Sequence, residues 1–272
     1  MAGEKSLQNF HMLGIAIVSC GIGAFITYRL AKTGKEEPKE VDGPLAGDEE
    51  HVVVAIPTGN YKTVHFIRHA EGTHNQASAL YGRTEYQNWR WEDARLTEHG
   101  KRQCREANEA EKLNHHLKGH QLVLVSPLTR CLETAELVVD KVAGVPWVAL
   151  ECIRERLHGN PCDRRRSINV VAKEFPYVDF SSFEVKPDKL WQEGPRESNE
   201  ELAARGREFL KWLEAREETN VVVVTHSAFL DITFNQVLKC DVAMKRWFNN
   251  CEIRSVLLSF PSTNGQPSNG HP

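Results

Sequence analysis

The stretch KTVHFIRHAEGTHN, residues Lys62 to Asn75, decides how this chain is read. A short apolar run, Val64 to Ile67, leads directly into Arg68 and His69. The run is typical of a buried strand, and the polar residues after it are typical of a loop at the strand's end. An arginine beside a histidine is unusual in a core and suits the binding and attack of an anion. We therefore expect other strands to deliver the rest of one anion site.

The composition is that of a globular protein. The 272 residues suffice for one large or two small domains, with 40% hydrophobic and 26% charged residues. The net charge of -3 argues against a nucleic-acid partner. Seven scattered cysteines without a CxxC pair indicate neither a disulfide framework nor a zinc site, which favours a reducing compartment such as the cytosol.

The N-terminal part has a different character. Met12 to Tyr28 is a run of 17 uncharged residues, about 25 Å long as a helix, close to the ~30 Å hydrocarbon core of a bilayer. After a short tail at residues 1–11, we expect a single transmembrane anchor at residues 12–30. The alternatives are a cleaved signal peptide, an organellar presequence and a buried core helix.

The residues around this run predict its orientation. Arg29, Lys32 and Lys35 follow it, which places the catalytic domain in the cytosol by the positive-inside rule. A small-residue row at Ala16, Cys20 and Ala24 indicates helix pairing in lipid, so a homodimer is a further expectation. We expect a charged linker at 31–60, a catalytic domain at 61–261 and a disordered tail at 262–272.

The catalytic part alternates apolar, β-branched runs with helical segments. This order predicts an α/β fold with three layers, α/β/α, around a mostly parallel sheet. Ligands of such sheets bind at the carboxyl ends of the strands. The runs at 64–67, 121–125, 147–150 and 221–224 are each followed by residues suited to chemistry, which are Arg68 and His69, Arg130, Glu151 and Glu155, and His226.

Two arginines and two histidines at one edge suit a phosphate. Arginine binds phosphate oxygens with two parallel hydrogen bonds and stays charged. A neutral histidine can attack phosphorus, and a carboxylic acid can protonate the departing alkoxide. We expect no divalent metal, since the sequence has no HExxH, P-loop or similar motif.

Four motifs resemble those of the histidine phosphatase superfamily (branch 1), which includes cofactor-dependent phosphoglycerate mutases and related phosphatases. They stand in the family's order over roughly Tyr61 to Phe260, and they are RHAEGTHN (68–75), SPLTRCLETA (126–135), RERLHG (154–159) and VTHS (224–227). The resemblance implies a phosphoglycerate mutase-like fold, a small phosphorylated metabolite or other phosphomonoester as substrate, and no cofactor.

The resemblance also implies roles, position by position. His69 would be the phosphorylated nucleophile, and Glu155 the general acid, with Glu151 as its rival. The phosphate would be bound by Arg68, Asn75, Arg130 and His226. Three residues after the acid are expected substrate contacts, or else part of a solvated basic loop: His158, Arg164 and Arg165.

The chain departs from the family pattern at two places in the first motif. Ala70 replaces the usual Gly, and Gly72 replaces the usual Ser or Thr. If position 70 needs positive φ, Ala70 costs about 1 kcal/mol. We expect a metal-independent phosphatase acting through a phosphohistidine. The alternatives are a cofactor-dependent phosphoglycerate mutase and a catalytically weak protein that binds phosphorylated ligands.

Overall fold

The computed structural model describes residues 16–19, 60–183 and 186–260. Seven strands of this part form one sheet, in the order β1-β7-β2-β6-β3-β4-β5. Their bounds are β1 (Ala16–Ser19), β2 (Asn60–Arg68), β3 (Leu122–Val125), β4 (Trp147–Ala149), β5 (Val178–Asp179), β6 (Asn220–Thr225) and β7 (Ile253–Phe260).

The sheet is mixed and mostly parallel, as predicted. From β2 through β6, β3 and β4 to β5 every neighbouring pair is parallel, whereas β7 runs antiparallel to β2. The carboxyl ends of β2, β6 and β3 therefore meet at one edge, where Arg68 pairs with Thr225 and Val224 with Val125. This edge is where ligands of parallel sheets bind.

Helices cover both faces of the sheet, which confirms the three-layer prediction. They are α1 (Thr73–Tyr81), α2 (Glu98–Asn114), α3 (Thr129–Val138), α4 (Ile168–Glu174), α5 (Asn199–Glu214) and α6 (Ser227–Ile232). Val221 and Val223 of β6 lie in a core with residues of α5 and α6, whereas Val222 and Val224 lie in a second core with residues of α2, α3 and α4. The period of two along the strand thus divides its valines between the faces.

The polar residues after β2, which were expected to form a loop, are partly helical. Thr73–Tyr81 is helical, and two short 3-10 helices follow at Arg83–Gln87 and Trp89–Trp91. Only His74 and Ala77 of α1 are buried, so the apolar periodicity that signals a helix is missing from its sequence.

The predicted transmembrane anchor is not supported. Its four described residues, Ala16–Ser19, form β1, which pairs in parallel with β7. The edge of β7 offers backbone N–H and C=O groups, and a segment with β-branched Ile17 and Val18 satisfies them as a strand. Among the helices of the described residues, none is long and apolar enough to cross a bilayer. The rest of the anchor, nearly all of the linker and the C-terminal tail fall outside the described residues.

Candidate active site

His69 lies at the end of β2, beside β6. Its backbone N–H donates to the Thr225 carbonyl at 2.9 Å, and the residue is 1% exposed. The ring Nδ1 is 2.7 Å from the Ala70 carbonyl, which only accepts, so Nδ1 carries the proton and Nε2 keeps its lone pair. Burial, then Arg130 and Arg68, hold the pKa of His69 well below its usual range. His69 is therefore a neutral imidazole with the lone pair on Nε2.

Arg130, near the start of α3, faces this nitrogen. Its Nε donates to His69 Nε2 at 3.3 Å. The two terminal nitrogens donate to the Cys162 carbonyl at 2.6 Å and to the Asp163 carboxylate at 2.8 Å. The other carboxylate oxygen of Asp163 accepts from Arg196 at 3.0 Å. The guanidinium is thus fixed with its Nε edge toward His69.

Arg68 supplies a second cation at the same edge. One terminal nitrogen donates to the Phe248 carbonyl at 2.8 Å. Its Nε is buried and has no partner among the described residues. Since a buried donor without a partner costs about 1–3 kcal/mol, this N–H is positioned for an acceptor such as a phosphate oxygen.

His226 follows β6 and completes the group predicted from the strand ends. Its ring centroid is 5.1 Å from that of His69. Its Nε2 lies 2.7 Å from the hydroxyl of Ser126, the residue that follows β3. Burial, then Arg130 and His69, lower the pKa of His226 well below its usual range. A neutral imidazole here can donate to oxygens on which charge develops.

Glu155 is held at the same edge by the start of α6. One of its oxygens accepts from the Ser227 hydroxyl and from the Ala228 N–H, both at 3.3 Å. Ser227 stands where the family usually has glycine, so this change adds a hydroxyl contact to the expected general acid. The rival, Glu151, instead forms ion pairs with Arg154 at 2.9 Å and Arg165 at 2.7 Å.

Asn75 lies in the first turn of α1. Its Oδ1 accepts from the Gly72 N–H at 3.0 Å, and its Nδ2 donates to the Tyr86 hydroxyl at 3.2 Å. The oxygen and the nitrogen of the Asn75 side chain are therefore both hydrogen-bonded, one to the first motif and the other to the 3-10 helix at Arg83–Gln87. The contact of Asn75 with phosphate stays a prediction.

The three expected substrate contacts lie in different surroundings. His158 has a left-handed backbone, with φ of 68°, and accepts from the Gln192 N–H at 3.1 Å. Arg164 pairs with Glu92 at 2.7 Å. Arg165 is 3% exposed and donates to Glu151 at 2.7 Å, as a buried guanidinium needs an acceptor; its contact with substrate stays a prediction.

Sequence reasoning missed residues that the fold brings to the site. His74 is 3% exposed, with its ring centroid 6.0 Å from that of His69. Asp163, hidden in a run of arginines, holds Arg130. Cys131 places its sulfur 3.3 Å from His226 Nε2. For His74 and Cys131 the only signal is their position inside the motifs, and Asp163 lies outside them.

Ala70 does not carry the expected strain. The non-glycine residues with positive φ in the described chain are Asp93, His115, His158 and Cys251. The Ala70 N–H donates to the Thr134 hydroxyl at 3.0 Å, and the methyl group is fully buried in the core. Because φ is not left-handed here, alanine is tolerated in place of glycine.

Comparison with known proteins agrees with the resemblance seen in the four motifs. The sequence profile of the histidine phosphatase superfamily (branch 1) matches residues 64–263. The chain is 33% identical over 240 residues to a phosphoglycerate mutase-like protein of Arabidopsis thaliana, covering 74% of this chain and 86% of that protein. It is 34% identical over 244 residues to phosphoglycerate mutase-like protein 1 of the same plant, covering 78% and 86%.

A solved structure of a mycobacterial glucosyl-3-phosphoglycerate phosphatase aligns with a TM-score of 0.47 at 21% identity, covering 73% of this chain and 91% of that chain. The family profile extends from within β2 to past the end of β7, and its match includes each strand-end motif described above. The chain belongs to the histidine phosphatase superfamily (branch 1).

Proposed function

We propose that this protein hydrolyses phosphomonoesters through a phosphohistidine at His69. The observation that carries the proposal is the state of the His69 ring. Its proton is held on Nδ1 by the Ala70 carbonyl, so the lone pair of Nε2 faces the Arg130 guanidinium, whose Nε donates to it at 3.3 Å. A neutral nucleophile beside a fixed cation is what attack on a phosphate dianion requires.

In the first step, His69 Nε2 attacks phosphorus in line with the ester oxygen. The N–P bond forms as the P–O bond to the leaving group breaks, and Glu155 gives its proton to the departing alkoxide. Arg68 and Arg130 balance the charge of the phosphoryl oxygens, and His226 donates a hydrogen bond to them. The unpartnered Nε of Arg68 supports this assignment.

In the second step, the Glu155 carboxylate takes a proton from water. The water oxygen attacks phosphorus, the N–P bond breaks, and inorganic phosphate leaves with His69 restored. The alternative is return of the phosphoryl group to a substrate hydroxyl, as in a mutase. The names of the plant relatives favour this second candidate, since both are called phosphoglycerate mutase-like.

An assay of the full-length chain tests these functions together. Release of inorganic phosphate is measured from a panel of alkyl, aryl and glycerate phosphates, with and without EDTA. The proposal expects release that survives EDTA and disappears in His69→Ala but not in His116→Gln, a change to a partly exposed surface histidine. Interconversion of phosphoglycerates without phosphate release would establish the mutase instead. Tight phosphate binding without any turnover would leave a binding protein.

A further inference from the structure

His74 lies beside the proposed nucleophile but has no task in the proposed reaction. Its ring centroid is 6.0 Å from that of His69, compared with 5.1 Å between His69 and His226. It is 3% exposed, about as buried as the residues of the pocket itself. By position, His74 is therefore a third histidine of this site.

The ring of His74 has an unused nitrogen. Its Nδ1 is buried and has no hydrogen-bond partner among the described residues. Native proteins rarely leave such a group unpaired, because its desolvation is not compensated. The Nε of Arg68 is in the same condition, within the same eight-residue motif. Two unpaired buried groups around one nucleophile point to a polar ligand that pairs with them.

The electrostatic surroundings also place His74 at the anion site. Burial, then Arg130 and Arg68, lower the pKa of His74 well below its usual range. Those two arginines are the cations assigned to the phosphate. A neutral imidazole beside them adds an N–H donor without adding charge repulsion.

Gly72 provides the room for this ring. A Cβ atom built on Gly72 would lie 2.7 Å from both Cε1 and Nδ1 of His74, closer than van der Waals contact allows. On another side, the Tyr86 ring packs edge-on at 5.6 Å, and its hydroxyl accepts from Asn75. The glycine at position 72 and the histidine at position 74 are thus a matched pair.

We propose that His74 is a further substrate-binding residue, whose ring N–H donates to an oxygen of the phosphoryl group bound at His69. This rests on the proposed function, since it takes the same pocket to bind a phosphomonoester. A hydrogen bond to a charged acceptor is worth about a 10- to 100-fold change in affinity. Loss of the His74 side chain is therefore expected to weaken inorganic phosphate binding and raise KM by that factor.

The test compares His74→Phe, His74→Gln and the surface control His116→Gln. The affinity for inorganic phosphate is measured by calorimetry, and kcat and KM are measured with one aryl phosphate. We expect His74→Phe to lose about 10- to 100-fold in phosphate affinity. His74→Gln should recover part of this loss through its amide N–H, and the control should match the original protein. Phosphate affinity within twofold of the original in a folded His74→Phe protein would overturn the proposal.

Gly72→Ser tests the matched pair. The added side chain displaces the ring, so this change alone should weaken phosphate binding as His74→Ala does. In a His74→Ala background the same change should have little further effect, because the displaced ring is gone. If Gly72→Ser weakened phosphate binding by the same factor in the original protein and in His74→Ala, the loss would not be due to displacement of the His74 ring.

A measurement on the unmodified chain does not depend on how variants fold. The ring nitrogen NMR signals of His74 should shift when inorganic phosphate saturates the site, and an unchanged signal would overturn the proposal. If the protein releases no phosphate from any ester while His74→Phe still weakens phosphate binding, the proposed hydrolysis fails and the role of His74 stands. If phosphate does not bind at all, both fail.

Discussion

His65 and His69 lie four residues apart at β2, and both are buried, at 3% and 1% exposure. Both ring nitrogens of His65 are occupied by side chains. Its Nε2 is 2.9 Å from the Asn220 Oδ1, and its Nδ1 is 2.7 Å from the Ser255 hydroxyl. His69 has one nitrogen on the Ala70 carbonyl, and the other faces Arg130.

The difference separates a structural histidine from the one that we propose as the nucleophile. An amide oxygen only accepts, so His65 carries its proton on Nε2 and accepts from Ser255 on Nδ1. The ring joins β2 to its neighbours β6 and β7 and has no free lone pair. In His69 the Nε2 lone pair accepts from the charged Arg130 guanidinium, at the edge where the proposed phosphate would bind. Burial alone does not distinguish the two; the partners of the ring nitrogens do.

The largest expected effect on the rate comes from replacing each of these two histidines separately with glutamine. His69→Gln should reduce phosphate release at least about 10⁴-fold, because the nucleophile is gone, with the fold retained. His65→Gln should keep the rate within about threefold and lower the free energy of unfolding by about 1–3 kcal/mol. Steady-state rates and urea unfolding measure both. A large loss of rate in a folded His65→Gln protein would break the comparison.

The next largest effect on the rate is expected from Glu155, with Glu151 as the comparison. Glu155→Gln should slow hydrolysis of alkyl phosphates by about 10²–10⁴-fold, because the alkoxide then leaves without a proton. The loss should be much smaller for p-nitrophenyl phosphate, whose leaving group needs no proton. Glu151→Gln is the matched control, since Glu151 pairs with Arg154 and Arg165 instead. The ratio of the rate with alkyl phosphates to the rate with p-nitrophenyl phosphate identifies the general acid. If this ratio changed in Glu151→Gln, Glu151 would be the general acid instead of Glu155.

Acid should expose the structural role of His65. Burial lowers the pKa of His65 to about 4, whereas an unfolded histidine titrates near 6.5. Between these values the unfolded state binds more protons, so stability present above pH 6.5 is lost as the pH falls. We expect His65 to account for a loss on the order of 3 kcal/mol by pH 4.

Urea unfolding at several pH values between 7 and 4 measures this slope. His65→Gln removes the titrating group and should flatten it, although its stability at pH 7 is lower. The buried His69 and His226, whose pKa values are also lowered, contribute to the slope that remains. Identical slopes in the two proteins would show that His65 is not the group responsible.

The smallest effect is expected at Ala70. The φ angle of Ala70 is not left-handed, so Ala70→Gly relieves no backbone strain and only removes a buried methyl group. The free energy of unfolding should fall by about 0.5–1 kcal/mol, and the rate should stay within about twofold. Thermal unfolding and steady-state kinetics measure both. A marked increase in rate would show that alanine does hold the His69 loop in a strained form.

Periodicity and strand-end logic predicted most of the fold and the centre of the site. The all-valine run at β6 and the apolar run of β2 specify buried parallel strands, and such strands bring their carboxyl ends together. His69, Arg130 and His226 follow from that rule alone. The helix of α1 was missed because its sequence has almost no apolar face.

The strand at Ala16–Ser19 was missed for a related reason. Its apolar run is as compatible with a lipid-facing helix as with a strand, and only the open edge of β7 offers a partner. The burial of Arg165 could not be predicted either, because a run of arginines does not reveal which member is buried. The ion pair with Glu151 is formed by tertiary contact.

What the sequence determined by itself is the order of elements and the residue types at the strand ends, since both depend on local pattern. The tertiary structure decided the chemistry of the imidazoles. The Ala70 carbonyl sets the His69 tautomer, Asp163 fixes the direction of Arg130, and Gly72 makes room for His74. Each depends on atoms within a few ångströms in space, and a sequence pattern does not specify such distances.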